Sequence, residues 1–335
     1  MLKLVITKFK KTSGLTLIEL IIAMAVFSIL MGVFYASFNP TSQNVSDLAV
    51  KQEMTQKGQR VLDFVGEELR MAGLFVSATP SLHFCTNIIT MPNPVDSLML
   101  TNTPPNEAIS YLTSERITTV VPGDPYLQTI VSASSGSNVL AVNANVPMHT
   151  TSNTTDNAGA FITLDTLQPN LGALVYQVQQ FNGTSITLLN PLNQNVNQNS
   201  NLYNVVLKQI SVDGNRDLVL TRWDSAAQGM CNPNPISLIA SHGPNNALGG
   251  VDGFEMEFEL AGGIPTAAIN TSNIANVREV SFWILLRSDF PASNGYVNNT
   301  IYTLGKTNPV IVGPFGDNYR RLLLNKTVEV MNVGF

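Results

Sequence analysis

The chain has 335 residues and a formal net charge of −5. Hydrophobic residues make up 44% and charged residues only 12%, half the usual ~25%, so Asn, Gln, Ser and Thr carry most of the polar surface. That apolar content excludes a disordered chain, the negative charge leaves no footprint for nucleic acid, and a mean hydropathy of +0.13 suits a soluble domain with one apolar anchor rather than a multi-span membrane protein.

Residues 1–14, MLKLVITKFKKTSG, carry Lys3, Lys8, Lys10 and Lys11 and no acid. Residues 15–38 follow with one charge, Glu19. A helix of that length spans about 36 Å at 1.5 Å per residue, enough to cross a hydrocarbon core of ~30 Å. The basic flank places the N-terminus in the cytoplasm and the C-terminal bulk outside. A cleaved secretory signal has a shorter apolar core, of about 7–15 residues, with a small-residue site behind it; Ala23-Met24-Ala25 is the nearest approach to such a site. A plain signal anchor fits the length but not Glu19, because an acid near the centre of a membrane helix costs roughly 2.5–3.5 kcal/mol.

Asn39-Pro40 predicts a kink or short break, since proline removes a helical donor and clashes with the preceding turn. Beyond it, Met54, Gly58, Val61, Leu62, Val65, Leu69 and Ala72 recur at steps of three and four, with Lys57, Arg60, Asp63, Glu67 and Arg70 between them. That periodicity predicts an amphipathic helix packed on a globular domain, ended by Gly73.

The remainder reads as β structure. Residues 173–181 and 184–190 around Asn182-Gly183 predict a hairpin with a type I′ turn. Residues 203–212 and 216–223 predict a second hairpin over the three-residue loop Asp213-Gly214-Asn215. In 251–260, alternation puts Phe254, Met256, Phe258 and Leu260 on one face and Glu255, Glu257 and Glu259 on the other. The acidic face is expected to meet water, with docking of a basic partner as the alternative. Residues 277–288 have an apolar centre and predict a central strand; 319–332 close the chain as a strand or hairpin. The class is α+β: a long N-terminal helix carrying a large antiparallel β-rich head.

Lys11-Thr12-Ser13-Gly14-Leu15-Thr16-Leu17-Ile18-Glu19-Leu20 resembles the class III leader of type IV prepilins and type II secretion pseudopilins, with Leu15 in place of the usual Phe. The resemblance implies that a prepilin peptidase cuts between Gly14 and Leu15 and methylates the new amine. It divides the chain into a leader at 1–14, a transmembrane and filament-core helix at 15–38, an amphipathic helix at 39–75 continuing into the head, and a head at 76–335. Glu19 would neutralise an N-terminal amine during assembly. Losing the leader's four lysines would take the net charge from −5 to −9.

Four further patches resemble the PilW family of minor pilins: Arg60 to Phe64 with Leu69 to Gly73, Gly250 to Glu255, Val277 to Ser288, and Tyr319-Arg320-Arg321 with Val328 to Asn332. The match implies a minor pilin that helps prime pilus assembly in a tip complex. Its partners would be other minor pilins, the major pilin and an inner-membrane assembly platform. Its place would be the inner membrane, then the extracellular pilus. A type II secretion pseudopilin of the J kind and a tip adhesin using residues 92–170, which match nothing, are the alternatives.

Cys85 and Cys231 are the only cysteines. In an exported head they favour a disulfide over two buried thiols or a metal site shared with His83. His83, His149 and His242 lack metal-ligand spacing, and no nucleotide-binding or hydrolase motif is present, so no enzyme and no cofactor is expected. Asp213 to Asp217 resembles an oxygen-ligand calcium loop faintly, and a plain Asp-Gly turn accounts for it.

Overall fold

The computed structural model describes residues 16–74, 76, 98–101, 107–119, 126–146, 148, 160–165, 175–224, 234–239, 241–242, 248–270, 272–292 and 295–330. The chain divides into two compact units, Met1–Gln52 and Glu53–Phe335.

One helix, α1 (Leu17–Arg70), supplies the described part of the first unit. Its stretch Leu17–Phe38 has a mean hydropathy of 2.6 and is long and apolar enough to cross a membrane. Its polar hydroxyl at Ser28 donates to Met24 O at 2.8 Å, so it is not left as an open donor within the apolar stretch. The short break offered as one outcome at Asn39-Pro40 does not occur: α1 continues through it. A proline there deletes one bond and costs about 3 kcal/mol, but helix propagation is cooperative and the turns on both sides remain bonded. One turn on, Thr41 Oγ1 donates to Ser37 O at 2.9 Å.

In the second unit α1 packs as its periodicity requires. Met54, Val61, Leu62, Val65 and Leu69 are all buried. Gly58 sits against Leu286 and Leu324, and Gly66 against Val328 and Lys326. With no Cβ at Gly58, those leucines reach the helix backbone. Gly73 takes φ 74° just past the helix end, a conformation that suits glycine, and its N–H donates to Leu112 O at 2.8 Å.

Among the described residues, nine strands form one antiparallel sheet: β1 (Leu98–Thr101), β2 (Ala108–Arg116), β3 (Val139–Ala141), β4 (Phe161–Leu164), β5 (Tyr176–Asn182), β6 (Ser185–Leu188), β7 (Leu202–Val212), β8 (Leu218–Asp224) and β9 (Asn234–Ile239). The order is β1-β2-β7-β4-β5-β6-β3, with β8 also on β7 and β9 on β8. The region from 92 to 170 that matched no known pattern supplies β1 to β4. Leu127, Leu140, Val142 and Ile162 from it share one core cluster with Ile186 and Leu202.

Both expected hairpins form, with different loops. Asn182 pairs with Ser185, so the first loop is Gly183-Thr184, and Gly183 takes φ 60°. A register shift between Val178 and Gln180 puts one extra residue into β5, which slides the turn along by one. In the second, Val212 pairs with Leu218, giving a five-residue loop, 213–217, rather than three. Asp213 Oδ1 accepts the N–H groups of Asn215 and Asp217, both at 2.8 Å, and Arg216 takes φ 68°. The Asp213 carboxylate thus organises the longer loop itself.

A two-strand pair, β10 (Ser241–His242) with β11 (Leu248–Gly249), leads into the second large sheet. This has β12 (Val251–Leu260), β13 (Ile264–Thr266), β14 (Val277–Pro291) and β17 (Tyr319–Glu329), in the order β13-β12-β14-β17. β14 is central, as its apolar run predicts. A separate hairpin, β15 (Tyr302–Leu304) with β16 (Val310–Val312), lies between β14 and β17 in the chain.

One face of the four-stranded sheet, through Leu286, Leu324 and Val328, meets α1. The other face meets the β15–β16 hairpin, where Trp283 and Leu285 cluster with Leu304, Tyr302, Val312 and Phe315. The sheet is therefore covered on both sides. This overturns the expectation that Glu255, Glu257 and Glu259 share a solvated face: Glu255 and Glu257 are buried and only Glu259 is exposed.

Residues singled out in the sequence as separate patches meet at one end of this sheet. Arg321, 1% exposed at its side chain, donates from Nε to Asp252 Oδ2 at 2.6 Å and from its two terminal nitrogens to the oxygens of Asp317 at 2.6 and 2.7 Å. The Arg321 hydrogen bonds hold the Asp317 carboxyl below its ordinary range. Arg320 N donates to Ser288 Oγ at 3.1 Å.

Candidate functional site

The start of α1 is built from four residues. Thr16 is the N-cap, and its carbonyl accepts the Leu20 N–H at 3.2 Å. Glu19 turns its carboxylate back: Oε2 accepts from the Thr16 backbone N–H and from Thr16 Oγ1, both at 2.9 Å. The Glu19 N–H reaches Thr16 Oγ1 at 3.4 Å. This is a capping box, which satisfies donors that a helix start otherwise leaves open. Thr16-Leu17-Ile18-Glu19 carries that signature, and treating Glu19 only as a charge in an apolar run overlooks it.

Glu19 also heads an apolar stripe, with Ile22, Ala23, Val26, Phe27 and Leu30 on the same surface of the helix. Their spacing of three and four residues makes them neighbours. Both cap bonds fall on Oε2, and Oε1 has no partner among the described residues. A carboxylate so placed, at the head of an apolar face, attracts an ammonium group far more strongly in a packed helical bundle than it does in water.

Of the other expected site residues, Gly14, Leu15, Cys85 and Cys231 lie outside the described residues. The cleavage boundary and the disulfide are therefore not placed by the structure. His83 and His149 also lie outside them, and His242 falls in β10.

A second constellation was not expected from the sequence. Glu107, just before β2, donates its N–H to Phe254 O at 3.0 Å and accepts the Met256 N–H on Oε2 at 2.7 Å. It acts on β12 as a one-residue partner strand. Glu257 Oε1 accepts three backbone N–H groups, from Lys306 and Thr307 at 2.7 Å and from Asn308 at 3.1 Å. Between them Glu255 is 1% exposed, pairs in register with Trp283, and leaves Oε2 with no donor. Burial first, then the charges of Glu107 and Glu257, push the Glu255 carboxyl up to about 8. Burial pushes Glu107 up to about 7 against the Met256 hydrogen bond, with Glu257 adding to the rise. The one signal in the sequence was the pair of short β-type runs YTL and VIV in 302–312, of which Leu304 is buried and Tyr302 and Val312 are half-buried against the sheet.

Residues 9–35 match the prokaryotic N-terminal methylation motif. No curated protein sequence matches the chain. Among solved structures, a type IV-like pilin from Thermus thermophilus is similar over 84% of this chain and 100% of its own, at 10% identity and a TM-score of 0.40. A TM-score of 0.40 is too low to carry a functional argument.

Proposed function

We propose that this chain is a minor pilin of the PilW kind that primes type IV pilus assembly in a tip complex with other minor pilins. The observation that carries the reading is the methylation motif at 9–35 running straight into the apolar segment Leu17–Phe38, ahead of a large β-rich head. A prepilin peptidase cuts between Gly14 and Leu15 and methylates the Leu15 amine. The apolar helix then anchors the chain in the inner membrane, with the head outside the cytoplasm, and later docks among the helices of the major and minor pilins on the assembly platform. Glu19 supplies the counter-charge for an N-terminal amine in that bundle. Its capping bonds orient the carboxylate toward the end of the helix, where such an amine lies. Cys85 and Cys231 form a disulfide in the oxidising exterior. The role is structural, and it calls for no cofactor.

Mass spectrometry of the purified mature chain tests this. The expected N-terminus is a methylated Leu15, absent in a Gly14→Val variant, and the non-reduced intact mass is lower than the reduced one by two hydrogens. An N-terminus at Met1 or after Ala25 overturns the leader, and equal masses overturn the bridge. Recovery with secretion components instead of sheared pili moves the chain to the J-type pseudopilin reading.

A further inference from the structure

The buried acids under the β15–β16 hairpin have no part in the anchor or the leader. Glu257 fixes the hairpin loop by accepting the amides of Lys306, Thr307 and Asn308. The loop comes so close that a Cβ on Gly305 would lie 2.8 Å from Glu257 Oε1. Leu304 packs on Trp283, the residue opposite Glu255. On the other flank, Glu107 ties the start of β2 to β12.

Glu255 lies between these two attachments with an orphaned oxygen. The charges acting on it are those of Glu107 and Glu257, both acids. No cation is among the groups that shift Glu255, although Arg287 keeps a buried Nε with no hydrogen-bond partner among the described residues. Arg321 holds Asp252 and Asp317, Arg287 lies 3.7 Å from the Tyr319 ring centre, and Lys306 is exposed and offers its backbone amide. On β14 and β17 the side chains of that face nearest Glu255 are Trp283 and Asn325, which do not ionise. Ionised Glu255 would be a third like charge in a covered space, and hydration reaches it only if the hairpin lifts.

We propose that Glu107, Glu255 and Glu257 form a proton-dependent latch that keeps the β15–β16 hairpin seated on the four-stranded sheet while Glu255 is protonated and releases it when that proton is lost. The sign follows from linkage. An acid whose folded pKa is raised favours the seated state fully below its open-state value near 4.5 and loses that contribution as pH rises through about 7 to 8.

The test uses the full chain in detergent micelles. Its two tryptophans are Trp223 and Trp283, so Trp223→Phe leaves Trp283 as the reporter under the hairpin. Between pH 6 and pH 9, Trp283 emission should shift to the red. Hydrogen exchange in residues 302–312, corrected for its intrinsic pH dependence, should rise roughly ten- to a hundred-fold. Glu255→Gln should remove most of both changes, leaving only the smaller part that Glu107 carries. A wild-type chain flat in both readouts, or a Glu255→Gln chain with the wild-type slope, overturns the latch. If Glu255→Gln does not fold, Glu107→Gln decides. Removing one of the two repelling charges should move the emission midpoint to lower pH, and an unmoved midpoint overturns the latch.

Discussion

β7 and β12 each carry polar side chains on a covered face. On β7, positions 202–210 are buried without interruption. Lys208 there donates to Glu68 of α1 at 2.8 Å and pairs with Glu115 of β2 at 3.2 Å. Tyr111 OH donates to the same Glu68 oxygen at 2.8 Å, and Arg222 of β8 holds Glu115 at 2.7 Å. At the end of β12, Asp252 is likewise covered and paired with Arg321, but under the hairpin its covered polar groups are Glu255 and Glu257, and the charges acting on Glu255 are those of Glu257 and of a third acid, Glu107. Opposite charges from four elements make the β7 cluster a tie between helix and sheet. Like charges leave the hairpin-covered part of β12 with a group, Glu255, whose protonation decides the balance. Burial alone sets neither result; the sign of what is brought alongside does.

The largest way to break this comparison is at Lys208. Among the described residues, Lys208→Met leaves Glu68 with only the Tyr111 hydroxyl and Glu115 with only Arg222, and should cost about 3 kcal/mol, the lower end for breaking a buried pair. It is read by denaturant unfolding in a Trp283→Phe background, where Trp223 on β8 reports the nine-stranded sheet. A loss below about 1 kcal/mol would mean the cluster behaves like an exposed pair. Glu257→Gln comes next. It replaces a charged acceptor of three amides by a neutral one, for an expected loss of about 1–3 kcal/mol at pH 6, seen by Trp283. At pH 9 the loss should shrink, because one charge repelling Glu255 is gone; a loss that grows with pH would place the strain elsewhere. The smallest effect is expected at Asp63, whose side chain is 74% exposed although its oxygen lies 2.6 Å from Lys326 Nζ. Asp63→Ala should change stability by roughly 0.5 kcal/mol or less. A change as large as that of Lys208→Met would show that distance, not burial and partners, controls these pairs.

Local pattern was enough for several elements because their causes lie within a few residues. The buried stripe from Met54 to Leu69 follows from a 3.6-residue period, and the bounds of β12 follow from strict alternation flanked by glycines. The central place of β14 follows from its unbroken apolar run. Thr16 and Glu19, three residues apart, carry their own cap. The basic leader and the long apolar run behind it are legible by charge and length alone. The turn of β5 and β6 was misplaced by one residue because a bulge in the ladder, which no short motif announces, moved it.

The sequence by itself determined α1, the hairpins of β5–β6 and β7–β8, the strands β12 and β14, and where the membrane-length apolar run lies, since hydrogen bonding, capping and side-chain period act over a turn or two. Tertiary structure alone decided which strand faces are dry. Glu255 reads as a solvent residue in its own strand, and becomes a buried one only because residues 302–312, far along the chain, fold over it. The same holds for the order of the nine-stranded sheet and for the meeting of Arg321 with Asp252: each is set by which distant surfaces must be covered, and burial of apolar area is indifferent to separation along the chain.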